Sequence, residues 1–306
     1  MTTLIAPPAD TEDVATARRP VRVWRWAAGI VLAVLTAQIG WFLVNNDRFE
    51  WDVVAQYVFD PTVLSGLGTT VMLAVVAMII ACVVGGLLAT AQVSDFAPLR
   101  WAATVYVGIF RGIPPLVQLL FWFNLAYLLP QISIGIPFGP EFASWDSNEV
   151  ITPLTAAIVG LSLVESAYMA EIIRAGILGV DHGQRDAARA MGFTPTQTFV
   201  RVVLPQAMRM IIPPTGSQFI TVLKGTALVS VIAMADLLHS VQVIYNRTYQ
   251  IIPLLIVACL WYLAVVTVLT AGQRWLERRF SRGHAPVSRN RRRSTISDGG
   301  THGSDR

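Results

Sequence analysis

Long apolar runs alternate with short polar stretches along the chain, and the runs are too long for the core of a soluble domain. Six of them, at 24–44, 66–93, 102–130, 150–178, 211–235 and 251–272, match the roughly 20 residues that a helix needs to cross about 30 Å of hydrocarbon. Apolar and polar residues do not alternate strictly within them, so a membrane β-barrel is not indicated. An open strand edge could not be satisfied in lipid. The pattern predicts an all-α polytopic membrane protein with six transmembrane helices. One polar stretch stands apart: residues 179–210 carry several arginines yet read as structured.

Composition agrees, with 54% hydrophobic and 14% charged residues and a mean hydropathy of +0.56, far from soluble averages. Cys82 and Cys259 fall inside apolar runs and read as small buried hydrophobes, with no disulfide, redox or metal site indicated. The first run follows a charged segment containing Asp10, Glu12 and Asp13. It is too long for a signal-peptide core and no A-x-A site follows it, so 24–44 reads as a retained span.

Charge then orients the spans. With six crossings both ends share a side, and 19 of the 23 basic residues fall on that side. They lie in the leader, the loop near 94–101, the 179–210 segment with its flanks, and the tail. The opposite loops hold only Arg48 and Arg247, beside acids such as Asp47, Asp60, Glu141 and Asp236. The positive-inside rule predicts that both termini and the 179–210 segment are cytoplasmic. The leader 1–23 and the Ser-, Gly- and Arg-rich tail 281–306 lack apolar periodicity and are predicted to be disordered. The Arg291-Arg292-Arg293 run fits anionic membrane lipid better than nucleic acid.

Within 179–210, Gln184 to Met191 should form a short helix closed by Gly192, with Ala187, Ala188 and Met191 on a small apolar face opposite Arg185 and Arg189. Thr194-Pro195-Thr196-Gln197 fits a capping box with proline at the first helical position. A second helix is expected to run from there to Leu204 and to break at Pro205. Alanines on an exposed crest would suit docking into a protein groove better than lying on lipid.

These residues resemble a known family. Asp186-Ala187-Ala188, Gly192, Val202 and Leu204-Pro205 look like the EAA loop of binding-protein-dependent ABC transporter permeases with the MetI-like fold. Leu161-Ser-Leu163, Ala167-Tyr168, Ala170-Glu171-Ile172, Pro213-Pro214 and Leu223-Lys224 flank it as in the polar amino acid subgroup. Phe110-Arg-Gly-Ile-Pro114 with Leu116-Val-Gln118 resembles the subgroup's "RGTP…LVQ" segment. The likeness spans roughly 62–275 and implies a five-helix permease core, with 24–44 as an additional helix. Asp186 stands where the family has Glu, and Gly225 and Ala227 replace the Asp and Ser of "KDTSL".

The resemblance implies a bacterial inner-membrane importer subunit for an amino acid, working with a second permease chain, an extracytoplasmic binding protein and cytoplasmic ATPase subunits. Gly183, Asp186, Ala187, Ala188, Gly192, Leu204 and Pro205 would then couple to the ATPase. The single lysine, Lys224, follows Leu223 rather than glycine, so this chain has no P-loop. ATP and Mg would be bound by the partner, and this chain would hold no cofactor, catalytic residue or metal.

Ionisable groups at membrane depth are functional candidates by default. Ser162, Glu165 and Ser166, with Tyr168 close by, are expected to share a face of the fourth span, and Gln218, Thr221 and Lys224 follow one another along the fifth. Two readings stay open: the faces line a solute path, or Glu165 and Lys224 form an ion pair that fixes packing. Glu171 and Arg174 are expected to pair with each other. A secondary transporter is the alternative function, disfavoured by the absence of an inverted repeat. A scaffold is disfavoured by the polar intramembrane faces.

Overall fold

The computed structural model of the protein describes residues 23–136 and 141–280. The leader up to residue 22 and the tail 281–306, both predicted to be disordered, lie outside the described residues. The chain divides into two compact units that meet in sequence at Glu50 and Trp51.

The first unit is built on α1 (Val23–Asn45) and a 3-10 turn, Asp47–Phe49, whose Phe49 ring packs edge-on against Phe42 at 5.8 Å. The whole face of α1 is exposed within its unit, and tryptophans mark its ends: Trp24 and Trp26 at one, Trp41 at the other. Aromatic residues at both ends of an apolar helix fit the two interfaces of a bilayer.

The second unit begins with α2 (Trp51–Tyr57) and α3 (Pro61–Gln92). Asp60 caps α3 by accepting from the Thr62 N–H at 2.8 Å, and Pro61 takes a position where no donor is needed. After α3 come α4 (Ala97–Gly112), α5 (Pro115–Phe123) and α6 (Leu125–Leu128). An antiparallel hairpin of β1 (Gln131–Gly135) and β2 (Glu141–Asp146) follows, then α7 (Ser147–Val150). The long α8 (Pro153–Leu178) starts at a capping box in which Thr152 and Thr155 serve each other's backbone N–H.

Beyond α8 lie α9 (His182–Ala190), α10 (Pro195–Thr198), a π-helical turn over Phe199–Val203 and α11 (Leu204–Gly225). A 3-10 segment (Thr226–Ile232), α12 (Leu237–Thr248) and α13 (Ile251–Phe280) complete the unit. Among the described residues, five helical segments are long and apolar enough to cross a membrane, and a sixth crossing is counted only if α4 and α5 act as one. The hairpin was not anticipated by the all-α reading.

Packing runs opposite to that of a soluble protein. Where α3 lies on α8, the buried residues are small: Ala74, Ala77, Ala81, Gly85 and Ala89 on α3 face Ala156, Ala157, Ala167 and Ala170 on α8. Ile79, Val83 and Leu87 of α3 point outward. Lipid supplies no hydrophobic drive between helices, so close backbone contact and dispersion hold them together. Gly85 shows how close: a Cβ there would stand 2.7 Å from the Met169 Cβ and 2.9 Å from the Ser166 carbonyl oxygen. The larger core residues, including Leu73, Met169, Val222, Leu223 and Ile232, gather where α3, α8 and α11 converge.

Several expectations are corrected. The run 102–130 is not one straight helix, because α4 and α5 meet at 101°. Pro114 and Pro115 lack the N–H groups that would continue α4. The buried Gln118 compensates, its Nε2 donating to the carbonyls of Phe110 and Ile113 at 2.9 Å each. Pro205 does not end a helix, since the chain passes from the π turn straight into α11. The Leu204 N–H reaches back five residues to the Phe199 carbonyl, and the donorless proline follows at the first turn of the new register. Pro213 and Pro214 also sit inside an unbroken α11.

Asp236, read as a loop acid, is fully buried. It caps α12 through the His239 N–H at 2.9 Å and receives the Tyr262 hydroxyl of α13 at 3.4 Å. The stretch 236–250 is thus largely helix rather than loop. Cys82 is half-buried against the core, whereas Cys259 is exposed on α13 and not an interior hydrophobe.

Candidate functional site

Two places gather the residues singled out in the sequence: the polar segment around α9 and a cleft between α8 and α11.

The polar segment folds by local rules. Asp181 accepts from the Gly183 N–H at 2.7 Å and starts α9 two residues earlier than expected. At the far end Gly192 takes φ +82, the left-handed region that a side chain makes strained. The Thr194 capping box forms as the sequence predicts, with Gln197 Oε1 accepting from the Thr194 N–H at 2.9 Å and Thr194 Oγ1 accepting from the Gln197 N–H at 3.2 Å. Asp186 and Arg189 form an exposed 3.8 Å pair.

The faces of α9 differ from the prediction. Ala187 and Met191 are exposed, but Ala188 is 1% exposed. Arg185, expected on the solvent face, turns back so that its Nη2 donates to the Ile177 carbonyl at the end of α8. This tether holds α9 with its Ala188 side buried. Val203, Ala207 and Ile211 pack with Ile177 and Val180 below it, so Leu204 and Pro205 belong to the junction with α11 rather than to a separate crest.

The cleft has a volume of about 250 Å³. Glu165 and Tyr168 of α8 line it, facing Gln218 and Thr221 of α11, with Leu119 of α5 and Leu228 closing it. Glu165 is 8% exposed and accepts from Gln218 Nε2 at 2.6 Å. A Glu165–Lys224 ion pair, one of the two readings left open by the sequence, is not formed. Six residues along a helix of 3.6 per turn rotate Lys224 about 120° away from Gln218, and it lies exposed outside the cleft lining.

Ser162 and Ser166 are likewise not in the lining. Both are buried, and the Ser166 hydroxyl donates to the Ser162 carbonyl at 2.6 Å. Of the predicted faces, the structure therefore brings together Glu165, Tyr168, Gln218 and Thr221.

Beside the cleft, Glu171 and Arg174 pair as predicted, at 2.8 Å. Arg111 of α4 adds a second cation at 3.8 Å, and its guanidinium lies 5.3 Å from the Tyr168 ring centroid. Gln92 of α3 reaches the same carboxylate at 3.4 Å. Sequence reading missed this convergence; the only signal was Arg111 sitting next to the Pro114-Pro115 break.

The chain belongs to the family described as the binding-protein-dependent transport system inner membrane component, which it matches over residues 81–282. It is similar to the arginine transport system permease protein ArgU of Corynebacterium glutamicum, 36% identical over 280 residues that cover 90% of this chain and 85% of that protein. It is also similar to the L-cystine transport system permease protein TcyB of Bacillus subtilis, 36% identical over 78% of this chain and 95% of that one. The crystal structure of an amino acid ABC transporter with histidines matches with a TM-score of 0.64 at 33% identity, covering 74% of this chain and 97% of the other. Family membership favours a permease over the secondary transporter considered as the alternative.

Proposed function

We propose that the chain forms the translocation path of an ATP-driven importer for a polar amino acid, with the solute passing through the Glu165 cleft. The observation that carries this reading is a membrane-depth carboxylate held ready by Gln218 in a small cavity between two spans. A buried charge is costly in lipid and persists where function requires it. The relatives named for arginine and L-cystine transport support the solute class. Glu165 and Tyr168 offer an anion and an aromatic face to a cationic amino group, and Gln218 and Thr221 offer hydrogen bonds to a carboxylate or amide.

In this reading α4 and α5 together make one of six crossings, both termini and the α9 segment face the cytoplasm, and the protein lies in a bacterial cell membrane. A separate ATPase binds ATP and Mg and docks against Asp186, Ala187 and Gly192. A binding protein delivers solute from the other side, and a second permease chain, identical or related, completes the pathway. Uptake of labelled amino acids into vesicles holding the assembled transporter tests the reading: transport should require ATP and the ATPase subunit. Uptake by this chain alone, without ATP, would overturn it.

A further inference from the structure

A second cavity, of about 600 Å³, opens where the end of α13 meets the start of α11, and it shares no residue with the Glu165 cleft. Arg209 of α11 and Arg274 and Arg278 of α13 line it, above an apolar floor that includes Met210 and Phe280. Arg274 and Arg278 are four residues apart and so project from one side of α13. Among the described residues none of the three lies within ion-pair distance of a carboxylate, whereas Arg111, Arg174 and Arg189 each do. Glu277, the one acid in the lining, is engaged by Gln273 Nε2 at 2.9 Å. Gln273 is in turn fastened to Ser217 of α11, at 2.5 Å, which ties the two helices together beside the cavity.

Three guanidinium groups gathered with no ion-pair partner among the described residues repel one another, and an anion in their midst relieves that repulsion. A planar fork of N–H donors matches phosphate oxygens, and a floor of methionine and phenylalanine suits glycerol and acyl carbons. The neighbouring Trp275, with Arg279 stacked at 5.8 Å, is of the kind that sits at headgroup depth. We propose that this cavity is a binding site for a phosphate group, with the headgroup of an acidic phospholipid as the ligand its chemistry fits best. The site is independent of which solute is transported.

The test uses the assembled transporter in nanodiscs of phosphatidylcholine with and without phosphatidylglycerol, and reads the phosphatidylglycerol retained after extraction by native mass spectrometry. A third arm supplies inorganic phosphate in phosphatidylcholine alone and reads protection of Arg274 and Arg278 from phenylglyoxal. Wild type is compared with the double variant Arg274→Gln/Arg278→Gln and with Arg25→Gln/Arg100→Gln, which removes equal charge elsewhere. Retention should fall about tenfold in the cavity variant alone, as expected for loss of charge-assisted bonds. The single variants Arg274→Gln and Arg278→Gln should each lower it if the double variant fails to assemble. Protection by inorganic phosphate with no retained phosphatidylglycerol would assign the site to free phosphate. Equal loss in cavity and control variants, or neither retention nor protection in wild type, overturns the proposal.

Discussion

The α9 segment and the Glu165 cleft are built on opposite terms. The caps that shape α9 and the turn after it lie close in the chain: Asp181 on Gly183, Gly192 at positive φ, Thr194 on Gln197. The cleft depends on partners far apart, with Gln218 reaching Glu165 across 53 positions and α5 closing one side. A locally specified element can keep its shape while the body beneath it moves, as a lever must. A site assembled from separate helices changes whenever those helices shift, as a gated path must.

Substitutions can break this contrast or sharpen it. The largest effect is expected from Gly85→Leu, which drives a side chain into Met169 and the Ser166 carbonyl. Overpacking typically costs about 1–3 kcal/mol and more against backbone. The variant should lose monodisperse, thermally stable protein in detergent, and with it the cleft. A melting curve like that of wild type would mean that α3 and α8 approach less closely than the structure shows.

Next comes Glu165→Leu, which strips Gln218 of its acceptor. Losing a bond to a charged group is worth about 1.5–3 kcal/mol, roughly ten- to more than a hundredfold in apparent solute affinity. Basal ATP hydrolysis should be untouched. Unchanged affinity and specificity in uptake assays would remove the cleft from the path.

Gly192→Val places a β-branched residue at φ +82 and should cost about 1–3 kcal/mol locally. Its signature is the converse of the previous one: solute transported per ATP hydrolysed falls, while apparent affinity holds. If affinity falls instead, the two regions are not separable in the way their construction implies. The smallest effect belongs to Thr194→Ala, which removes one cap worth about 1 kcal/mol. Amide exchange should quicken over residues 196–198 and nowhere in α8; spread into α8 would show that the segment is not locally held.

How far each region could be read from the chain follows from the same contrast. The capping box at Thr194 and the stop at Gly192 were legible because they act within four residues. The exposure of Ala188 was not, because its burial depends on Arg185 reaching back to Ile177. Membrane-depth polar residues were legible as a set from composition. Sorting them was not: Ser162 and Ser166 were buried outside the cleft lining, Lys224 rotated away, and Glu165 met Gln218 rather than the lysine. Prolines misled in both directions. Pro114 and Pro115 broke the run 102–130, whereas Pro205, where a helix was expected to break, and Pro213-Pro214 were absorbed within α11, because a helix in a crowded bundle tolerates a missing donor that an isolated one would not.

The sequence alone determined what depends on summed transfer free energy and on near neighbours: a helical membrane protein, its apolar runs, the short helices of the 179–210 segment and their caps. Only the tertiary structure decided which polar groups face one another. It bent the third run by 101°, drew Arg111 to Glu171, buried Asp236 at a helix crossing and opened the Glu165 cleft. The physical reason is that small residues let backbones approach almost anywhere along α3 and α8, so the register between helices, and hence the site, is fixed by contacts that no single run contains.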